Sequence, residues 1–189
     1  MPRPEAIFQL DYFKKSPEAF YQLAKSFLDL DNFDPTPTHY FCKLLANKGW
    51  VKKYMTQNID NLEEKAGFNM EEVIQAHGAN FGARCSKCGS EQDRHALEES
   101  IKSEKVLYCD NCKKFPVKPN IVFFGENLPK KFFTALNEIE KDKPDLLIVI
   151  GTALAVSPFN SIVDLIPSEV PKVLINLENT AASGFDFEN

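Results

Sequence analysis

Apolar positions recur at helical spacing through the first quarter of the chain. Phe20, Leu23, Ala24, Phe27 and Leu28 fall on one face of a helix that Ser16 can cap and Pro17 can start. Tyr40, Phe41, Leu44 and Leu45 repeat the pattern behind Thr36-Pro37, and Gly49 supplies the stop. Both stripes predict core-facing helices. Cys42 among them reads as a buried thiol, and His39 as a surface or capping residue. From Trp50 the period changes. The run from Val51 to Met55 leads into Thr56-Gln57-Asn58-Ile59-Asp60, and Val73-Ile74-Gln75-Ala76 leads into His77-Gly78. Asp145 to Ile150 ends in Gly151-Thr152, and Val173-Leu174-Ile175 ends in Asn176 with Glu178 close behind. Helical stretches are predicted over 129–141 and 158–166. This alternation predicts an α/β fold with a Rossmann-like parallel sheet. In such sheets the ligand crevice lies beyond the carboxyl ends of the strands, so the polar residues after each run should converge.

Composition narrows the picture. The 189 residues are 43% hydrophobic and 26% charged, ordinary for a globular chain, and the net charge of -5 argues against a direct nucleic-acid partner. No apolar run approaches the roughly 18 residues that a membrane span needs, so no membrane partner is expected. The opening Met1-Pro2-Arg3-Pro4-Glu5 resembles neither a secretion signal nor a transit peptide. The expected location is therefore the nucleus and/or cytoplasm, where thiols stay reduced and paired cysteines read as metal ligands.

Cys85-Ser86-Lys87-Cys88 and Cys109-Asp110-Asn111-Cys112 are two C-x-x-C knuckles separated by 20 residues. Each places two thiolates on one side of a tight turn, and together they complete a tetrahedron for one Zn2+. Four thiolates leave no open position, so the ion is structural. The linker from Gly89 to Tyr108 is charge-rich and is expected to fold only with the metal. His95 within it reads as exposed rather than as a ligand. The module is expected as a small insert, residues 79–118. It lies between a first part of a nucleotide-binding domain (1–78) and its remainder (119–189).

His77-Gly78 sits just before this insert, at a junction where clefts form. Asn58 and Asp60 are short polar groups suited to orienting amides or ribose hydroxyls, or to forming turns. Phe123-Phe124-Gly125-Glu126 reads as a buried strand ending in a glycine turn and an acid. Taken in order, Thr56-Gln57-Asn58-Ile59-Asp60, Ala76-His77-Gly78, the two cysteine pairs, Lys118-Pro119-Asn120-Ile121-Val122-Phe123-Phe124-Gly125-Glu126, Gly151-Thr152 and Ile175-Asn176 resemble the sirtuins. These are NAD-dependent protein lysine deacetylases, and the wording is most similar to the eukaryotic nuclear and cytoplasmic branch.

The resemblance implies that NAD is bound by Gln57, Asn58, Ile59, Asp60 and His77, with Gly151, Thr152, Asn176 and Glu178 around the adenosine half. It implies His77 as general base toward a ribose hydroxyl, after the acetyl oxygen of an acetyl-lysine protein has displaced nicotinamide. Val122 and Phe123 would line the acyl-lysine tunnel, Phe124 beside them would also bind substrate, and Gly125 and Glu126 would offer backbone to an extended peptide. Three family features are not matched. The opening strand with its glycine-rich NAD loop has no counterpart here, Ala153 stands where the family usually has serine, and the chain ends after Gly184 to Asn189. Two readings follow: an NAD-dependent deacetylase, or an inactive remnant serving as a zinc-bearing peptide- or protein-binding module.

Overall fold

The structure, a computed structural model, describes residues 4–178 and divides into two compact units, Met1–Pro129 and Lys130–Asn189. Met1 to Arg3 and the closing run from Gly184 to Asn189 lie outside the described residues.

In the first unit, α1 (Leu10–Lys15) ends at Ser16, and α2 (Glu18–Ala24) starts behind Pro17, whose fixed φ suits a helix entrance. Phe13 of α1 and Phe20, Tyr21 and Ala24 of α2 are buried. They share one core with Ala83 and Cys85 of β3 (Gly78–Cys85), Leu97 and Ile101 of α5 (Arg94–Lys102), Val117 and Ile121 of β4 (Val117–Ile121), Cys109 and Phe123. Phe123 is the hub. Its ring lies 5.3 Å from that of Phe13 and 5.0 Å from that of Phe20, tilted or edge-on as aromatic quadrupoles prefer. Tyr21 donates to the Val117 carbonyl at 2.7 Å and accepts from the Leu107 amide at 3.1 Å, so its buried phenol is satisfied. The cysteine-bearing segment is thus packed directly onto the N-terminal helices. Within the charge-rich segment from Gly89 to Tyr108, Leu97 and Ile101, four apart on α5, present one buried stripe. Asp93 caps that helix by accepting from the His95 amide at 2.8 Å.

The helix α3 (Pro37–Asn47) begins and ends where the sequence says. Thr36 and His39 form a capping box, and Gly49, at φ +72°, closes the helix by donating to the Ala46 carbonyl. Its apolar stripe, however, is not buried. Tyr40, Phe41 and Leu44 are 53%, 42% and 52% exposed; among the described residues α3 packs on a small cluster of Ala66, Phe68 and Val73, touched through Cys42, Ala46 and Lys43. Cys42 is accordingly half-buried.

The strands β1 (Tyr54–Thr56) and β2 (Val73–Gln75) pair in parallel, with the short α4 (Leu62–Lys65) between them. An antiparallel pair, β3 with β4, was not foreseen; Gly78 faces Ile121 and, past a bulge, Cys85 faces Val117. Gly78 makes that pairing possible. It holds φ +72°, and a Cβ there would stand 2.0 Å from the Asn120 carbonyl oxygen. Gly78→Ala is expected to destabilise the unit by at least about 2 kcal/mol, combining left-handed strain with overpacking. Urea unfolding checks this, since an unshifted midpoint would contradict it.

In the second unit, α6 (Lys130–Lys141) buries Phe132, Ala135 and Ile139. The strands β5 (Leu147–Ile150) and β6 (Lys172–Ile175) pair in parallel across α7 (Ile162–Leu165). The chain is therefore mixed α/β with parallel strand pairs, and each ladder among the described residues is two-stranded. No described helix is long and apolar enough to cross a membrane.

Candidate functional site

The four cysteines come together from two turns. Cys85 ends β3, and the chain reverses so that the Cys85 amide donates to the Ser90 carbonyl; the second knuckle closes as the Cys109 amide donates to the Phe115 carbonyl. All four Sγ atoms lie within 4.8 Å of one another. Cys85 and Cys112 are 3.6 Å apart, and Cys88 and Cys109 3.7 Å. Tetrahedral Zn–S bonds of about 2.3 Å demand a sulfur spacing of about 3.8 Å, so the cluster fits zinc. Surrounding groups prepare the thiolates. The Ser90 hydroxyl, with the amides of Cys112 and Asn111, pulls Cys109 down to about 6. Ser90 likewise lowers Cys88, whereas burial pushes Cys85 up to about 12, a proton the metal would displace. Gln92 joins the knuckles, donating to the Ser90 hydroxyl at 3.1 Å and accepting from the Asp110 amide at 2.9 Å. His95 stands on α5, outside the cluster.

Because β1 and β2 are parallel, Thr56 to Asp60 and Ala76-His77 leave the same end of the pair, and the Ala76 amide donates to the Thr56 carbonyl. The Thr56 hydroxyl accepts from the Asn58 amide, forming a turn that leaves Asn58 exposed. Asp60 accepts from the Leu62 amide at 3.1 Å, so one of its oxygens holds the start of α4. Ile59 packs against the main core, and its carbonyl accepts from the Asn80 amide at 2.8 Å. His77 Nδ1 lies 3.2 Å from the Gln57 carbonyl. A carbonyl only accepts, so Nδ1 carries the proton and Nε2 the lone pair. Burial lowers the His77 pKa below 6.5, outweighing that hydrogen bond. The imidazole is therefore a neutral base at pH 7, with its tautomer set by Gln57.

The run after β4 takes two different roles. Phe123 is 1% exposed within the aromatic core, and Phe124, 52% exposed, is the ring presented outward. The Phe124 amide donates to the Phe8 carbonyl and its carbonyl accepts from the Leu10 amide, so its backbone is already paired. Glu126 is also turned inward. Its carboxylate accepts from the Phe123 amide at 2.7 Å and from Lys118 at 2.9 Å. Gly125, exposed at φ +95°, remains the open stretch of backbone. Val122 is half-buried, and its amide donates to the His77 carbonyl, tying this loop to the histidine.

In the second unit, parallel pairing again brings two strand ends together. The Gly151 amide donates to the Ile175 carbonyl, and a Cβ at Gly151 would meet nothing within 4 Å, so this turn is open to approach. The Thr152 hydroxyl accepts from the Leu154 amide, and Asn176 Nδ2 donates to the Glu178 carbonyl at 2.8 Å.

Sequence reasoning missed Lys118, Arg84, Ser90 and Gln92. For Lys118 a signal existed: a lone cation inside the apolar run from Pro116 to Phe124, with an acid eight residues on.

Comparison with known proteins agrees with this geometry. A Sir2 family model matches residues 1–158. The chain is 45% identical over 187 residues to the NAD-dependent protein deacetylase sirtuin-2 of Danio rerio, covering 98% of this chain and 48% of that protein. It is 40% identical over 205 residues to the NAD-dependent deacetylase sir2C of Dictyostelium discoideum, covering 100% of this chain and 44% of that one. It is 41% identical over 180 residues to the NAD-dependent protein deacetylase hst2 of Schizosaccharomyces pombe, covering 94% and 53%. The chain thus spans about half the length of the curated relatives it matches. Four thiolates at zinc spacing, a neutral histidine at a parallel strand end and these matches along the chain lead to one assignment: it belongs to the Sir2 family.

Proposed function

We propose that this chain carries the catalytic base and the acyl-peptide loop of an NAD-dependent protein lysine deacetylase. The observation that carries the reading is His77, neutral, with Nδ1 held by the Gln57 carbonyl and Nε2 left as the basic atom. It stands at the strand end that also presents Asn58 and Asp60. The relatives' names supply the chemistry: each is an NAD-dependent deacetylase.

Bound NAD would supply the ribose carbon that takes up the acyl group as nicotinamide leaves. Asn58, with an exposed amide side chain, and the second Asp60 oxygen would orient the nicotinamide carboxamide, while Ile59, anchored in the core, keeps that turn rigid. Gln57 contributes its carbonyl to His77 and would offer its side chain to the ligand. His77 Nε2 would accept the proton of a ribose hydroxyl, with burial keeping that nitrogen unprotonated at neutral pH. Within the second unit, Gly151, Thr152, Asn176 and Glu178 would be the groups offered to an adenosine. The substrate would be an acetyl-lysine protein segment lying extended along Gly125 and beside Phe124. A reduced four-thiolate centre suits work in the nucleus or cytoplasm.

Titration calorimetry with NAD tests the reading. Saturable binding, weakened at least about tenfold by Asn58→Ala, is the expected result, since that variant removes an amide pair worth roughly 1.4 kcal/mol or more. A folded, zinc-loaded chain with no affinity for NAD would instead make it an inactive zinc-bearing peptide- or protein-binding module.

A further inference from the structure

Lys118 is the most completely enclosed charged side chain among the described residues, at 0% exposure, and nothing in the proposed chemistry uses it. Its ammonium donates to the Ile121 carbonyl at 2.6 Å and to the Pro119 carbonyl at 3.4 Å. It pairs with Glu126 at 2.9 Å and sits 4.5 Å from the centre of the Phe123 ring. Every one of these partners belongs to residues 119–126. The loop is therefore wrapped around a single cation, with two carbonyls of its entrance and the carboxylate of its exit on the same nitrogen. Glu126 extends the tie: its other oxygen lies 3.7 Å from Arg84 on β3, and it also holds the Phe123 amide. A buried charge is expensive unless paired and hydrogen-bonded, and here the pairing ties the two ends of the loop together, beside the backbone bonds to Phe8, Leu10 and His77. The groups left facing outward by that path are the Phe124 ring and the Gly125 backbone.

We propose that Lys118 is a positioning residue for acyl-peptide recognition, holding residues 121–126 in the shape that presents Gly125 and Phe124 to an extended peptide. The proposal rests on the deacetylase reading above. Lys118 touches no substrate and acts through Glu126 and the entrance carbonyls. A lysine was placed there for reach as well as charge, since a compact ammonium can serve three oxygens converging on one point.

The test is binding of one fluorescent acetyl-lysine peptide and its unacetylated twin, measured by anisotropy on the zinc-loaded chain. Hydrogen exchange of the Phe123 and Glu126 amides is followed in parallel. Lys118→Met is expected to weaken acetyl-peptide binding at least about tenfold and to accelerate exchange at both amides, with zinc content unchanged. Lys118→Arg should recover part of the affinity. Where Lys118→Met does not fold, Glu126→Gln is expected to weaken acetyl-peptide binding likewise by removing the charge pair, with faster exchange at the Glu126 amide and less change at the Phe123 amide, whose acceptor it keeps. Equal affinity and exchange in wild type and variant would overturn the proposal and leave the deacetylase reading standing. A wild-type chain that fails to distinguish the acetylated peptide from its twin would overturn that reading, and this proposal with it.

Discussion

Deacylation by the His77→Ala variant is expected to fall by about 10²–10⁴-fold, the range that a positioned general base contributes. The loss should appear in kcat, with the affinity for acetyl peptide held within about twofold, because the proposed role of His77 is proton transfer and the proposed peptide loop is tied to Lys118. The pH dependence gives a second reading of the same atom. Desolvation lowers the His77 pKa below 6.5, so the acidic limb of kcat/KM should have its midpoint below 6.5 and disappear in the variant. Stability follows the same sign. Between its folded value and 6.5 the unfolded chain binds more protons at His77 than the folded chain does, so stability falls as pH drops through that window. Gln57 adds no charge but fixes the tautomer through its carbonyl, so the rate depends on the backbone path after β1. Turnover preserved in His77→Ala would remove the base from this account.

Stripping the metal is expected to produce the largest change in stability. Cys85 and Cys109 are 2% and 0% exposed, so an empty site would leave two buried sulfurs facing each other's partners without an ion. Structural zinc in small domains contributes on the order of 10 kcal/mol to folding, and a loss of even several kcal/mol lowers Tm by about 10 °C or more. The reduced protein should therefore hold one zinc per chain. Cys109→Ser or chelation should lower Tm by at least about 10 °C. The change should be uneven along the chain. The helix α5 is anchored by Leu97 and Ile101, so helical circular dichroism should largely persist. Hydrogen exchange should accelerate in residues 85–92 and 105–116. A zinc-free protein with unchanged Tm would contradict the metal site.

Much of this was legible because it depends on local chemistry. Cysteine spacing announces the metal without reference to the rest of the fold. Apolar runs ending in Asn58, His77, Gly151 and Asn176 mark strand ends, and parallel pairing then collects them two by two. The parts that could not be read depend on what packs against what. The α3 stripe has the right period, but burial needs a partner surface wider than Ala66, Phe68 and Val73 provide. Phe123 and Phe124 are chemically identical neighbours, and only the aromatic cluster around Phe8, Phe13 and Phe20 determines which one turns inward. The strand β3, Gly-Ala-Asn-Phe-Gly-Ala-Arg-Cys, has no alternation to announce it; its pairing depends on Gly78 passing close to Asn120. The burial and pairing of Lys118 were not legible because a buried lysine is rare, and two of its partners are backbone carbonyls that a sequence does not show.

The most direct measurement is nicotinamide release by the zinc-loaded chain in the presence of NAD and an acetyl-lysine peptide, counted against deacetylated peptide by mass spectrometry. The account predicts NAD-dependent release in a one-to-one ratio with deacetylation, with steady-state deacetylation falling about 10²–10⁴-fold in His77→Ala. Neither product above the level of the His77→Ala variant would contradict it.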